Sequence, residues 1–192
     1  MKPDVEKLVE EIREREARLE ERFKRAEREF RYEVHGRRVR FSEEIHAIHR
    51  RYRVGLLRYL RGARPLNVLT APVIYGMIVP LVFLDASVTL YQHVCFRAYG
   101  VPRVRRRNYW VVDRHRLGYL NPLEKLNCAY CSYANGLIAY AREILARTEQ
   151  YWCPIRHARA IRDAHARYPQ FLDYGDARGY QEGLAELRRD LG

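Results

Sequence analysis

PLNVLTAPVIYGMIVPLVFL, residues 65–84, is the one long run of this chain without a charged side chain. It is about 20 residues long, the length an α-helix needs to cross the hydrocarbon of a bilayer. Beyond Asp85 the chain stays nearly uncharged up to Phe96, so the apolar element extends past the run itself. Thr70, followed by Ala71 and Pro72, has the chemistry of a helix cap with an early proline. Pro80 falls inside the helix, where its ring presses on the carbonyl of Gly76, and this predicts a kink. A central, kinked, apolar helix is the element against which the rest of the chain is read.

The flanks of that helix are basic at both ends. Arg50, Arg51, Arg53, Arg58, Arg61 and Arg64 precede it, and Arg97, Arg103, Arg105, Arg106 and Arg107 follow it. Basic flanks mark the cytoplasmic side, so a single simple span would leave one arginine group on the wrong side. A kinked helix that dips into one leaflet, or lies in the interface, sets both groups beside anionic head groups. The expected location is the cytoplasmic face of a membrane, in a peripheral, re-entrant or interfacial arrangement. The alternative is a soluble cytoplasmic protein with residues 65–96 as a core helix. Asp85 shares a helical face with Thr89 and Gln92, and an ion pair with Arg114 or Lys125 is expected for it.

The formal net charge is +12, carried by arginine far more than by lysine. Arginine grips phosphates and carboxylates with two parallel hydrogen bonds. The expected partners are an anionic membrane surface and further copies of the chain in a homo-oligomer, with nucleic acid or an acidic protein as weaker candidates. Residues 1–34 are strongly charged and contain no apolar core of a signal peptide, so cytosol-facing, reduced thiols are expected.

The sequence reads as all-α: an elongated helical bundle with a long N-terminal charged helix and the central apolar helix. Three segments are expected: residues 1–36, a charged helical arm; 37–168, an apolar helical core with a cysteine site; and 169–192, a C-terminal amphipathic helix. In the arm, Val5, Leu8, Val9, Ile12, Leu19, Phe23, Ala26 and Phe30 form a thin stripe that needs a partner helix, from this chain or another copy. His35-Gly36 breaks the pattern, and residues 37–41 alternate as a turn or strand-like link. Ser42 has the chemistry of an N-cap for a helix running to Gly62. Gly100-Val101-Pro102 ends the apolar helix. Asn121-Pro122-Leu123-Glu124 has the spacing of a capping box and starts a mostly buried helix. Ile155, Ala158, Ile161 and Ala164 make a helical stripe after Pro154, and Asp176 caps a last helix carrying Tyr180, Leu184, Leu187 and Leu191.

All four cysteines, Cys95, Cys128, Cys131 and Cys153, fall in one window. Cys128 and Cys131 face the same side of their helix in adjacent turns, which suits two metal ligands or a reactive pair. A closed tetrahedral site takes four thiolates, or three and a histidine. If the apolar helix packs antiparallel on the helix from Pro122, Cys95 comes near Cys128 and Cys131. Cys153 is awkward: along an unbroken helix at ~1.5 Å per residue it lies about 33 Å from Cys131. It joins only if Asn135-Gly136 breaks the helix or a second subunit supplies it. Otherwise His93 or His115 completes the three-cysteine set, with His157 beside Cys153. Zinc is the default ion, and iron or an Fe–S cluster also suits thiolates.

The functional expectation is a membrane-associated helical protein with a cysteine-thiolate metal centre. The alternatives are a non-enzymatic basic scaffold for anionic lipid, nucleic acid or an acidic protein, with merely buried cysteines, and a thiol–disulfide oxidoreductase. Nothing in the sequence assigns a catalytic residue. Phosphate-binding glycine loops, Gly-x-Ser-x-Gly, His-Glu-x-x-His and haem-attachment motifs are absent.

Overall fold

The computed structural model describes residues 3–30, 32–35 and 38–191. The chain is predominantly α-helical, with one two-stranded sheet. It divides into two compact units, Met1–Gly62 with Asp113–Leu126, and Ala63–Val112 with Asn127–Gly192.

The first unit opens with α1, Pro3–Glu29. Its exposed faces carry Glu-to-basic pairs one turn apart, such as Glu14–Arg18 and Glu20–Lys24, the spacing at which opposite charges are neighbours on a helix surface. Strands β1, Tyr32–His35, and β2, Arg38–Phe41, then pair antiparallel, with Tyr32 opposite Phe41 and Val34 opposite Val39. Gly36 and Arg37, expected as the helix break and the start of the link, lie outside the described residues. Ser42 caps α2, Glu43–Tyr52, by accepting from the Ile45 amide. The expected single helix to Gly62 is interrupted: residues 53–55 are extended, and α3 covers Leu56–Arg61. His49 packs edge-on against Phe41 and Tyr119, each with ring centroids 5.0 Å away. These rings half-bury the imidazole and tie α2 to β2 and to the 117–120 segment of the first unit.

The second unit is built on the apolar segment. It forms α4, Pro65–Gly76, and α5, Ile78–Tyr91, followed by a π-helical turn Gln92–Phe96 and the short α6, Arg97–Tyr99. The interruption falls at Met77, next to the carbonyl on which the Pro80 ring presses. Thr70 does not cap a helix. Pro65 already occupies the first turn, and the Thr70 hydroxyl bonds back to the Leu66 carbonyl, 2.9 Å. Gly100, with φ of 70°, ends α6 in the left-handed conformation.

Helix α7, Pro122–Trp152, begins in the first unit and continues through the second. Its start is the expected capping box: the Glu124 amide donates to Asn121 Oδ1, 3.0 Å, and the Asn121 amide to the Glu124 carboxylate, 2.8 Å. Asn135 and Gly136 do not break it. Gly136 is buried, and a Cβ there would meet the Tyr109 carbonyl oxygen at 2.8 Å and the Trp110 ring at 3.3 Å. This glycine is a contact point for the 109–110 backbone, not a hinge.

The α4–α5 segment packs parallel to α7, not antiparallel. Tyr130 donates to the Ile74 carbonyl, Tyr133 to Asp85, and Tyr91 bonds Thr148, so the contacts ascend along both helices. Parallel neighbours need a long connection, and residues 100–121 provide it.

The core comprises Val88, Phe96, Val101, Val104, Leu137, Tyr140, Ile144 and Leu191. The stripe from Ile155 to Ala164 is not a helix. The Leu172 amide donates to the Pro154 carbonyl and the Arg156 amide to the Leu172 carbonyl, which fixes the chain extended. Asp163 then adopts a φ of 56°, incompatible with a right-handed helix. The last helix, α8, spans Ala177–Arg189 and is capped as expected by Asp176, which accepts from the Gly179 amide at 2.8 Å.

Candidate functional site

The expected metal centre is not formed. Among the described residues no group of three or more His, Cys, Asp or Glu side chains is gathered that could hold a metal ion. The parallel packing is the reason. Cys95 lies between Tyr91, which bonds Thr148, and Tyr99, whose ring stacks on Tyr151 at 5.2 Å. Cys131 lies 17 positions before Thr148, ~25 Å along the helix axis at about 1.5 Å per residue. Cys128 is one turn further away. Since α7 is unbroken, Cys153 is also remote from Cys128 and Cys131.

The histidines have other roles. His93 Nδ1 bonds the Thr89 carbonyl at 2.7 Å, His115 belongs to a 3₁₀ turn at Arg114–Arg116 of the first unit, and the His157 ring stacks on Tyr168. All four cysteines are free thiols, so the thiol–disulfide reading finds no pair. Simple burial fails as well, since Cys131 and Cys153 are exposed and Cys95 and Cys128 half-buried.

The structure assembles instead a polar seam on the inner face of an apolar helix. Asp85 is buried, and its carboxylate accepts from the Arg106 guanidinium and from the Tyr133 hydroxyl at 2.9 Å. Arg106 in turn lies over the Trp110 ring, 4.3 Å from its centroid. The partner expected at Arg114 or Lys125 is thus Arg106, brought back by the loop after α6. Two turns on, Gln92 is fully buried; it donates to the Tyr140 hydroxyl and accepts from the Val104 amide, 3.0 Å. The Asp85–Thr89–Gln92 stripe is real, and Thr89 reaches Asp85 at 3.4 Å. Burial pushes the Tyr109 hydroxyl up from the usual phenol range, with the Glu143 carboxylate adding to the effect.

No protein-family model, curated protein or solved structure matches the chain.

The outer face of the same helix is the opposite of its seam. Residues Pro65–Tyr99 are long and apolar enough to cross a membrane, yet only 11% of the most apolar stretch is buried. Leu69 and Phe83 are about three-quarters exposed, and Val73, Val79 and Leu90 nearly as much. Apart from the Asp85–Thr89–Gln92 seam the segment is apolar on every face, which is the pattern of a helix buried in a core or in lipid. At its C-terminal end Tyr99, Tyr151 and Trp152 cluster, with rings 5.2–5.3 Å apart, beside exposed Arg97, Arg103 and Arg105.

A second polar cluster ties the C-terminal part to α7. One Glu143 oxygen accepts from both Arg147, 2.9 Å, and Arg167, 3.0 Å. Arg167 also donates to buried Gln150, whose amide reaches the Leu187 carbonyl at 2.8 Å. Its only sequence signal was the Glu143-to-Arg147 spacing; Arg167 comes from a loop that looked helical. This network locks the 165–171 loop and α8 in place and offers no open position for a ligand.

Proposed function

We propose that this chain is a membrane-associated protein whose α4–α5 segment enters the hydrocarbon of an anionic membrane, with the arginines at its ends among the head groups. The exposure of that segment carries the reading. Twelve large apolar side chains from Leu66 to Val94 are exposed, and at roughly 100 Å² each they present on the order of 1,000 Å², above the few hundred usual for a soluble monomer. At about 25 cal/mol per Å² their removal from water is worth on the order of 25 kcal/mol before the costs of association. Each arginine near an anionic surface adds only about 1 kcal/mol. The apolar term therefore dominates, and charge sets where the ends come to rest.

Two further features support lipid immersion. Asp85, the one acid in the segment, faces inward and is paired, as an ionisable group at membrane depth requires. The Tyr99–Tyr151–Trp152 cluster has the amphipathic rings that favour the head-group level. Thiols and histidines have no part in this function.

Flotation with liposomes tests it. The protein is expected to float with anionic vesicles and to stay bound through a high-salt wash, whereas Val79→Glu with Phe83→Glu abolishes flotation. Release by salt alone would make the binding purely electrostatic and overturn insertion. Full solubility without detergent or lipid would mean that other copies cover the apolar face.

A further inference from the structure

The first unit carries a seam that the membrane reading leaves unused. In α1 the residues Ile12, Glu16, Leu19, Phe23 and Ala26, with Phe30 just past its end, recur in alternating steps of four and three. Continued backwards, the same steps reach Val9 and Val5. This is a heptad repeat over nearly four heptads, with Val9, Glu16, Phe23 and Phe30 at a and Val5, Ile12, Leu19 and Ala26 at d. The seam is uncovered: Ile12 is 48% exposed, Leu19 55%, Phe23 61% and Phe30 57%. Most helical stability comes from burying such a face, so a helix of this length with a bare seam lacks its main support.

We infer that α1 pairs with α1 of a second copy of this chain as a parallel two-stranded coiled coil. Charge selects both the partner and the direction. In a parallel pair each g position faces the e position of the next heptad on the other helix. Of the g residues Leu8, Arg15, Arg22 and Glu29, the two arginines meet Glu20 and Glu27 at e, and Leu8 meets Arg13. Two-fold symmetry doubles the two Arg-to-Glu pairs into four attractive contacts, and no like-charge pair falls among the g-to-e contacts. An antiparallel pairing sets Arg15 against Arg22 instead. Glu16, the single charged a residue, faces its own copy; one polar a position fixes register at some expense of stability. The Glu14–Arg18 ion pair lies on the outer positions of the helix, clear of the seam, whereas Glu20 holds Lys24 at 2.8 Å within its own helix, and Arg15 of the second copy joins Lys24 at that carboxylate.

The test uses the full chain in mild detergent, with dimerisation read by analytical ultracentrifugation. Arg15→Glu with Arg22→Glu, and separately Glu20→Arg with Glu27→Arg, are each expected to weaken the dimer about tenfold or more, through four reversed contacts. Mixing the two variants restores a dimer as tight as the wild type, because every pair is then attractive; a misfolded α1 would not be rescued in this way. In parallel, Ala26→Cys is expected to give an oxidised dimer above the background of the native thiols, and Glu21→Cys, on the outer face, none. A monomeric wild-type chain overturns the inference. So does a dimer indifferent to both charge reversals, or equal cross-linking through Cys at 21 and 26. Flotation of the monomeric charge-reversed variants with liposomes separates this result from membrane insertion.

Discussion

Replacing Gly136 with alanine sets two effects of opposite sign against each other. Alanine is favoured over glycine inside a helix by about 1 kcal/mol. At Gly136, however, the new methyl would sit 2.8 Å from the Tyr109 carbonyl oxygen and 3.3 Å from two atoms of the Trp110 ring. A backbone oxygen cannot swing aside, so the 109–110 peptide must retreat by about half an ångström to reach an ordinary contact. It is not free to do so: Trp110 is held against Tyr140 and under Arg106, and Tyr109 lies over Tyr140. Overpacking of this kind costs roughly 1–3 kcal/mol. The expected net effect is a destabilisation of about 1–2 kcal/mol once the propensity gain is subtracted. Gly76 is the control, since a Cβ there meets nothing within 4 Å. Gly76→Ala should be neutral or stabilising by up to about 1 kcal/mol. Denaturant unfolding in detergent, followed through the fluorescence of Trp110 in a Trp152→Phe background, reads both. If Gly136→Ala stabilises as Gly76→Ala does, the close approach of the 109–110 segment to α7 is wrong.

Other perturbations probe the seam and the first unit. Asp85→Ala strands the Tyr133 hydroxyl and removes the acceptor of Arg106, and should cost about 2–3 kcal/mol, less than a fully buried pair because Arg106 still reaches solvent; Asp85→Asn, which keeps an acceptor, should cost about half as much. A change below 0.5 kcal/mol, roughly the scatter of surface substitutions, would remove the seam from any structural role. His49 titrates below the ordinary histidine value because burial against Phe41 and Tyr119 disfavours its charge and His46 adds repulsion. The unfolded chain then binds the extra proton first, so the first unit is fully stable above about pH 6.5 and loses stability as pH falls through that value towards the depressed one. The protection factors of the α2 amides, which correct exchange for its intrinsic pH dependence, should fall on acidification in the wild type and not in His49→Phe; equal acid sensitivity in both would assign the effect elsewhere.

The features written locally were legible in the sequence. Asn121 and Glu124 announce their capping box, Ser42 and Asp176 their caps, and Gly76 with Pro80 the interruption at Met77. Each depends on residues within a turn of one another. The features that failed depend on tertiary placement. Whether α5 runs with or against α7 is decided by the path of residues 100–121, and no periodicity encodes it. That one choice moved Cys95 from Cys131 to the level of Thr148 and dissolved the expected thiolate centre. It also gave Asp85 to Arg106 in place of Arg114 or Lys125. The spacing of Ile155 to Ala164 matched a helix as well as any, but two backbone bonds to Leu172 and its neighbourhood won over local periodicity. Gly136 looked like a breaker because glycine is a poor helix former, and its actual use, close contact with another backbone, leaves the same trace in the sequence.

The lipid environment of the apolar segment is the direct test of the central claim. Single spin labels at Leu69, Val73, Val79 and Phe83, in protein reconstituted into anionic liposomes, report their relative access to oxygen and to a water-soluble relaxant. Insertion predicts that all four are accessible to oxygen and shielded from the aqueous reagent, with Arg64 and Arg103 positions showing the reverse. Free access of the aqueous reagent to Val79 and Phe83 in the bound protein would contradict it.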